Sequence, residues 1–181
     1  MDRNSSLELL GKYVGNKNLI KHMVATEAVM KRYAQKFGED ENLWAQAGLV
    51  HDIDVELTKD DTGLHGKKGA EILRQNGYPE NLIEAVINHT KSEPEGDKMS
   101  RVLFSADQVT GLIVASALIH RDKKLASIDP DFVVKRFHEK RFAAGVKREN
   151  IRAVERLGIP MDEFIGNALS AMKEVAAEIG L

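Results

Sequence analysis

Six imidazole and carboxylate side chains, His22, His51, Asp52, His65, His89 and Asp107, fall on or beside stretches whose spacing otherwise marks apolar helix faces. Taking an unpaired imidazole or carboxylate out of water costs on the order of several kcal/mol, so each placement needs a partner. One divalent cation or two would serve all six residues, because the ion neutralises the carboxylates and takes the imidazoles as neutral ligands. The 181 residues include no cysteine, so any such ligand set is built of nitrogen and oxygen. Read one residue at a time, a second account stays open. A single histidine on an apolar face commonly donates to a backbone carbonyl, and an adjacent His-Asp at a helix end can be an imidazole favoured by the helix dipole beside a capping carboxylate.

The elements that would carry these residues are helical almost throughout, with no sustained alternation of the kind a half-buried strand requires. Leu19, Met23, Met30, Tyr33 and Phe37 form one stripe ended by Gly38, with His22 beside it. A second helix, from about 42 to 52, puts Leu43, Ala47, Val50 and His51 on one side and ends on the His-Asp pair. After an acidic loop with Asp60, Asp61 and Gly63, a third opens near His65 and closes at Gly77, burying Gly69, Ile72 and Leu73. Pro79 starts a fourth that aligns Leu82, Val86 and His89 and stops around Thr90. Beyond Pro94 and Gly96, a long buried helix runs through Val102, Leu103, Ala106, Thr110, Ile113, Val114 and Ala117 with Asp107 facing inward. Asp129-Pro130 opens a helix with Phe132, Val133 and Phe137, and two more succeed it, from about 148 to Gly158 and from 161 to 179.

At roughly 150 residues per domain, this length suits one domain over 1–181, an all-α, compact multi-helix bundle. Hydrophobic residues make up 43% of the chain and charged residues 30%, the balance of a folded globular protein. The 26 basic and 28 acidic residues are well mixed, for a net charge of −2. That balance favours a small soluble partner and argues against nucleic acid and membrane lipid. The best apolar run, 112–119, is too short to cross a bilayer, and a cytoplasmic location is the default expectation.

The order His22, His51-Asp52, Asp107 resembles the metal-binding pattern of the HD-domain phosphohydrolase superfamily, and His51-Asp52-Ile53-Asp54 is similar to the motif of its HDIG-type subgroup. The likeness covers about 19–120, leaving 121–181 as appended C-terminal helices. His65-Gly66 and His89-Thr90 resemble the two extra histidines of binuclear members. The resemblance implies one metal on His22, His51, Asp52 and Asp107, and a second on His65 and His89 with Asp52 bridging. Asp54 stands where the subgroup motif has glycine, and Val55 where it commonly has lysine. The segments around His65, His89 and Leu103 to Asp107 are similar to the bacterial diadenosine tetraphosphate hydrolase branch. Beyond Asp107, residues 108–111 and 142–146 look more like uncharacterised HDIG proteins of bacteria.

The activity implied by the resemblance is that of a metal-dependent phosphohydrolase, whether phosphomonoesterase, phosphodiesterase or dinucleoside polyphosphate hydrolase, using one or two divalent ions. The ligand types suit Mn, Fe, Co, Ni, Zn or Mg. Such an ion lowers the pKa of bound water from about 15.7 toward roughly 7 and so supplies hydroxide for in-line attack on phosphorus, with His51 and Asp52 as the catalytic pair that the resemblance implies. Lys67, Lys68, Lys91 and Arg101 adjoin the proposed ligands and are candidates to touch substrate phosphate, although lysine and arginine at helix termini are ordinarily solvated. Asp54 and Glu56 could orient water or a histidine proton. The expected substrate is a small phosphorylated molecule, a nucleotide first, with no nucleic acid and no membrane. Two other readings stay open: a non-catalytic metal- or nucleotide-binding regulatory module, and a structural helical scaffold. The helix from 161 to 179 could pack on its own domain or on a second copy in a homodimer.

Overall fold

The protein is described by a computed structural model covering residues 2–181. Ten α-helices follow one another among these residues, with no strand: α1 (Arg3–Tyr13), α2 (Lys17–Phe37), α3 (Glu41–Val50), α4 (Lys67–Gln75), α5 (Glu80–His89), α6 (Lys98–Ile119), α7 (Pro130–His138), α8 (Arg148–Arg152), α9 (Met161–Glu174) and α10 (Ala176–Ile179). The starts of α1, α2, α3, α6 and α7 are set by short acidic or amide side chains that satisfy orphan backbone N–H groups. Asp40 accepts from Leu43 N at 2.9 Å, Asp97 from Ser100 N at 2.9 Å and Asp129 from Phe132 N at 2.8 Å. Pro130 occupies the first position of α7, as the sequence requires, and Gly38 ends α2 in the left-handed conformation.

Helix α3 is the inner element of the bundle. Every residue from Trp44 to Val50 is buried, far more than the one-sided stripe that the spacing suggests. It lies closely along α2, and Gly48 makes that approach possible: a Cβ there would sit 2.7 Å from the Thr26 carbonyl oxygen and 2.8 Å from Glu27 backbone atoms. The long helix α6 crosses the bundle and packs on α2, α3, α5, α7, α8 and α9. Taken whole, α6 has the length and composition to span a bilayer, which residues 112–119 alone do not indicate, but most of its surface is covered by these neighbours. One continuous apolar core joins Leu10 of α1, Met23 and Tyr33 of α2, Leu49 of α3 and Leu103 of α6 to Phe164 and Met172 of α9. The apolar face of α9 is thus used within its own chain.

Periodicity gives little sign of helix α1, whose apolar contact is limited to buried Leu9 and Leu10 with Leu7 and Tyr13 half-buried beside them. Polar ties hold it instead: Arg3 donates to both carboxylate oxygens of Glu27 at 2.7 and 2.9 Å, and Tyr78 donates to Ser6 Oγ at 2.8 Å. The helix expected from 148 to 158 is α-helical only to Arg152 and tightens into a 3₁₀ turn over Ala153–Leu157. The one expected from 161 to 179 breaks at Val175.

Candidate metal centre

The chain brings all six imidazole and carboxylate side chains to one place from five segments: His22 on α2, His51 and Asp52 where α3 ends, His65 just before α4, His89 at the end of α5 and Asp107 on α6. They fall into two groups whose donor atoms lie within 4.8 Å of one another, His22, His51, Asp52 and Asp107 in the first and Asp52, His65 and His89 in the second. Asp52 belongs to both. Its Oδ2 lies 3.4 Å from His51 Nε2 and 3.7 Å from His22 Nε2, while its Oδ1 lies 3.4 Å from the Nε2 atoms of both His65 and His89. Asp107 Oδ1 completes the first group, 3.1 Å from His22 Nε2 and 3.7 Å from His51 Nε2.

Hydrogen bonds on the far side of each ring decide which nitrogen faces this centre. His51 Nδ1 donates to the Gly48 carbonyl at 2.8 Å and His89 Nδ1 to the Val86 carbonyl at 2.5 Å. His65 Nδ1 donates to Asp54 Oδ1 at 2.7 Å. The Thr110 hydroxyl donates to the Asp107 carbonyl at 2.9 Å, which leaves it to accept from His22 Nδ1 at 3.2 Å. All four imidazoles therefore turn Nε2 inward, the arrangement in which the outer bond fixes the ligating tautomer. The Nε2 atoms of His51 and His89 are buried and have no hydrogen-bond partner among the described residues. Unpartnered nitrogens around a shared carboxylate fit divalent cations bound through nitrogen and oxygen, and the backbone-satisfied reading accounts for one nitrogen each of His51 and His89 and for none of His22 or His65.

Asp54, fully buried, takes a role that the sequence left open. Besides His65 Nδ1 it accepts from Gly66 N at 2.8 Å and Gly69 N at 2.7 Å, so one carboxylate both orients a histidine and caps α4. Gly66 must be glycine for this turn, with φ at +79° and Thr90 atoms 2.8 Å from where a Cβ would stand. Asn at position 54 cannot serve all three donors: if its oxygen faces Gly66 and Gly69, its NH₂ faces His65 and drives the ring proton onto Nε2. Asp54→Asn is expected to cost about 2 kcal/mol of stability and to weaken metal binding at the group of Asp52, His65 and His89, read by thermal melting and by metal analysis of the purified protein. Metal content and affinity equal to those of wild type would refute this account of Asp54. Glu56 does not face the centre; it accepts from Gly15 N and Asn16 N and fixes the entry to α2.

Without metal, the charges must be balanced by protons. Burial opposes the imidazolium of His51, but the carboxylates of Asp52 and Asp107 and the Gly48 carbonyl outweigh it and carry its pKa from 6.5 to about 9. Burial likewise opposes charge on His65, and Asp52 and Asp54 outweigh it, lifting the value from 6.5 to about 10. Asp52 is pushed well below the usual carboxylate range, its burial outweighed by His51, His65 and His89. The raised histidines stabilise the fold fully below their unfolded value of 6.5 and lose that contribution as pH rises through 9 to 10; the lowered aspartate contributes above 3.8 and loses it as pH falls. Chelator-treated protein is therefore expected to melt at a higher temperature at pH 6 than at pH 9. A Tm that rises across that interval would contradict the assignment.

A cleft of about 360 Å³ opens onto the centre, lined by Asp52, Val55, His65, His89, Thr90, Lys91, Asp107, Gln108, Lys147 and Asn150. Of the four basic residues marked in the sequence, Lys91 alone lines it, and its ammonium pairs with Glu95 at 2.6 Å. Lys68 pairs with Glu71, Lys67 is exposed on the first turn of α4, and Arg101 donates to the Gly96 carbonyl. Sequence reasoning misses Thr110, Gln108, Lys147 and Asn150 as parts of the site. A signal for Thr110 exists in its position three residues beyond Asp107 on one helix face; Lys147 sits in an irregular loop that carries no periodicity.

A helical bundle converging histidines and aspartates on a shared carboxylate is the architecture of the HD domain, and a sequence model of that family matches residues 19–112, just over half of the chain. The chain belongs to the HD domain family of metal-dependent phosphohydrolases. Among its relatives are proteins named Ribonuclease Y: that of Opitutus terrae is 33% identical over 94 residues, covering 49% of this chain and 18% of the relative, and that of Sulfurovum sp. is 28% identical over 165 residues, covering 90% and 32%. The chain thus spans about a third or less of the length of these curated relatives. Their name overturns the expectation of a small-molecule nucleotide substrate with nucleic acid excluded. The error has a physical source: a net charge near zero describes the field of the whole chain, whereas a metal centre needs to attract one phosphodiester locally, with the cations supplying the positive charge.

Proposed function

We propose that this chain hydrolyses phosphodiester bonds of RNA at the centre built on Asp52. The observation that carries the proposal is the pair of Asp52 oxygens, each facing its own group of inward-turned imidazole nitrogens. His22, His51, Asp52 and Asp107 would hold one divalent ion, and Asp52, His65 and His89 a second. When bound, such ions bring the pKa of water toward neutrality and offset charge on phosphoryl oxygens. The protein's share is positional. Gly48, Val86, Asp54 and Thr110 lock the four rings, and Gln108 Nε2 donates to Asp107 Oδ2 at 2.7 Å, leaving Oδ1 for the ion. The cleft volume suits about one nucleotide unit beside the centre. The likeness to Ribonuclease Y of Sulfurovum sp., running over 90% of the chain, supports RNA as the substrate class.

The test is cleavage of a labelled oligoribonucleotide by the purified chain across a panel of divalent ions. Cleavage is expected to stop with chelator and to return with added metal. Metal-replete protein that leaves the oligonucleotide intact, at the ionic strengths where it folds, would refute the RNA assignment.

A further inference from the structure

The segment 139–147 joins α7 to α8 without regular structure, yet its backbone is firmly held. Arg148 gathers it: Nη1 donates to the carbonyls of Ala143 at 2.6 Å and Val146 at 2.9 Å, Nη2 to those of Phe142 and Glu139, and Nε to that of Phe137. The last residue of the loop is joined to the metal centre. Lys147 N donates to Gln108 Oε1 at 2.9 Å, and Gln108 in turn donates to Asp107 Oδ2 at 2.7 Å. Thus the loop cannot move without moving the amide that orients a proposed ligand.

Lys147 lines the cleft. Of the two lysines there, Lys91 is neutralised by Glu95, whereas the Lys147 ammonium has no carboxylate within salt-bridge distance among the described residues. The residue is exposed at the cleft and its backbone N is bonded to Gln108, which is the condition for a cation that meets an incoming anion at little cost in backbone order. The cleft lining divides between His65, His89, Thr90 and Lys91 on one hand and Asp107, Gln108, Lys147 and Asn150 on the other. Lys147 therefore gives the α6–α8 part of the cleft a positive group that it otherwise lacks.

We propose that Lys147, presented by the loop that Arg148 ties together and Gln108 couples to Asp107, contacts a non-bridging phosphate oxygen of the substrate. The proposal deepens the phosphodiesterase reading and rests on it for the identity of the substrate, though not for the phosphate contact itself. Two probes separate them, both applied to metal-loaded protein: a short fluorescein-labelled oligoribonucleotide followed by anisotropy, and inorganic phosphate followed by calorimetry. Lys147→Gln is expected to weaken both roughly tenfold, to reduce the slope of log affinity against log salt for the oligonucleotide by about one, and to act on KM rather than kcat. Lys147→Arg should restore most of the affinity. Metal content should stay at the wild-type level. Lys31→Gln, on an exposed turn of α2 away from the cleft, controls for loss of one charge.

If Lys147→Gln binds both probes as tightly as Lys31→Gln does, the contact is refuted and the RNA reading is untouched. Phosphate binding that depends on Lys147, with no affinity for the oligonucleotide, would keep the contact and remove RNA as substrate. Metal-loaded wild-type protein that binds neither probe overturns both.

Discussion

Asp52→Ala is expected to lower turnover at least about a thousandfold and to strip metal from both positions. Among the described residues, no other side chain belongs to both groups: Oδ2 lies by His22 and His51, Oδ1 by His65 and His89. Removing a ligand from one group alone would leave the other intact, whereas loss of the carboxylate that both share leaves two sets of imidazoles with one further carboxylate between them. Asp52→Asn sharpens the comparison, because it keeps the volume and removes the charge. Metal analysis, single-turnover cleavage and circular dichroism of both variants give the necessary readings. The helical signal should persist, since the core is built from α2, α3, α6 and α9 and not from this side chain. Wild-type turnover by either variant would end the assignment of Asp52 as the centre of the chemistry.

Gly48→Ala is expected to do its damage by distance. The added methyl would stand 2.7 Å from the Thr26 carbonyl oxygen and 2.8 Å from the backbone of Glu27, and backbone atoms cannot turn aside as a side chain would. Helices α2 and α3 must separate, at a cost of about 3 kcal/mol, the upper part of the range for overpacked cores. For a chain of this length that corresponds to a fall in Tm of about 10 °C. The same displacement would shift His22 on α2 against His51, whose ring is held by the Gly48 carbonyl itself. Metal affinity should therefore drop together with stability. Gly11→Ala offers the contrast. Among the described residues no neighbouring atom lies within 4 Å of the added methyl on α1, so the exchange should raise stability by up to about 1 kcal/mol through helix propensity alone. Equal melting temperatures for wild type and Gly48→Ala would refute the close-approach argument.

Much of this site could be read in the sequence because helical spacing puts constraints on which side chains share a face. His89 follows Leu82 and Val86, which are fully buried, and Asp107 shares α6 with Leu103 and Ala106. The His-Asp pair needed no long-range information. What spacing could not supply was the outer bond to His51 and His89, because Gly48 and Val86 act through a main-chain carbonyl that any residue provides. Asp54 was visible as a departure from glycine in the motif and, with Glu56, as a carboxylate able to orient a histidine proton, but which histidine and which backbone amides it would meet depends on the path of residues 55–66, which has no period. Basic residues were placed poorly for a related reason. Closeness in sequence to His65 and His89 selected Lys67, Lys68 and Arg101, while the cleft was completed by Lys147, about forty residues beyond Asp107. Whole-chain charge erred further, since it averages over surfaces that no substrate visits.

The guanidinium of Arg148 has a consequence for how this domain could diversify. Regular structure stabilises a segment by asking something of nearly every residue in it, whereas here one side chain receives the carbonyls of Phe137, Glu139, Phe142, Ala143 and Val146. The exposed side chains of Lys140, Arg141 and Ala144 are thereby released from any folding duty in the loop that ends at Lys147. Substitution at those positions can change the charge and shape of the surface next to Lys147 without redrawing the path of the chain, so long as the arginine stays.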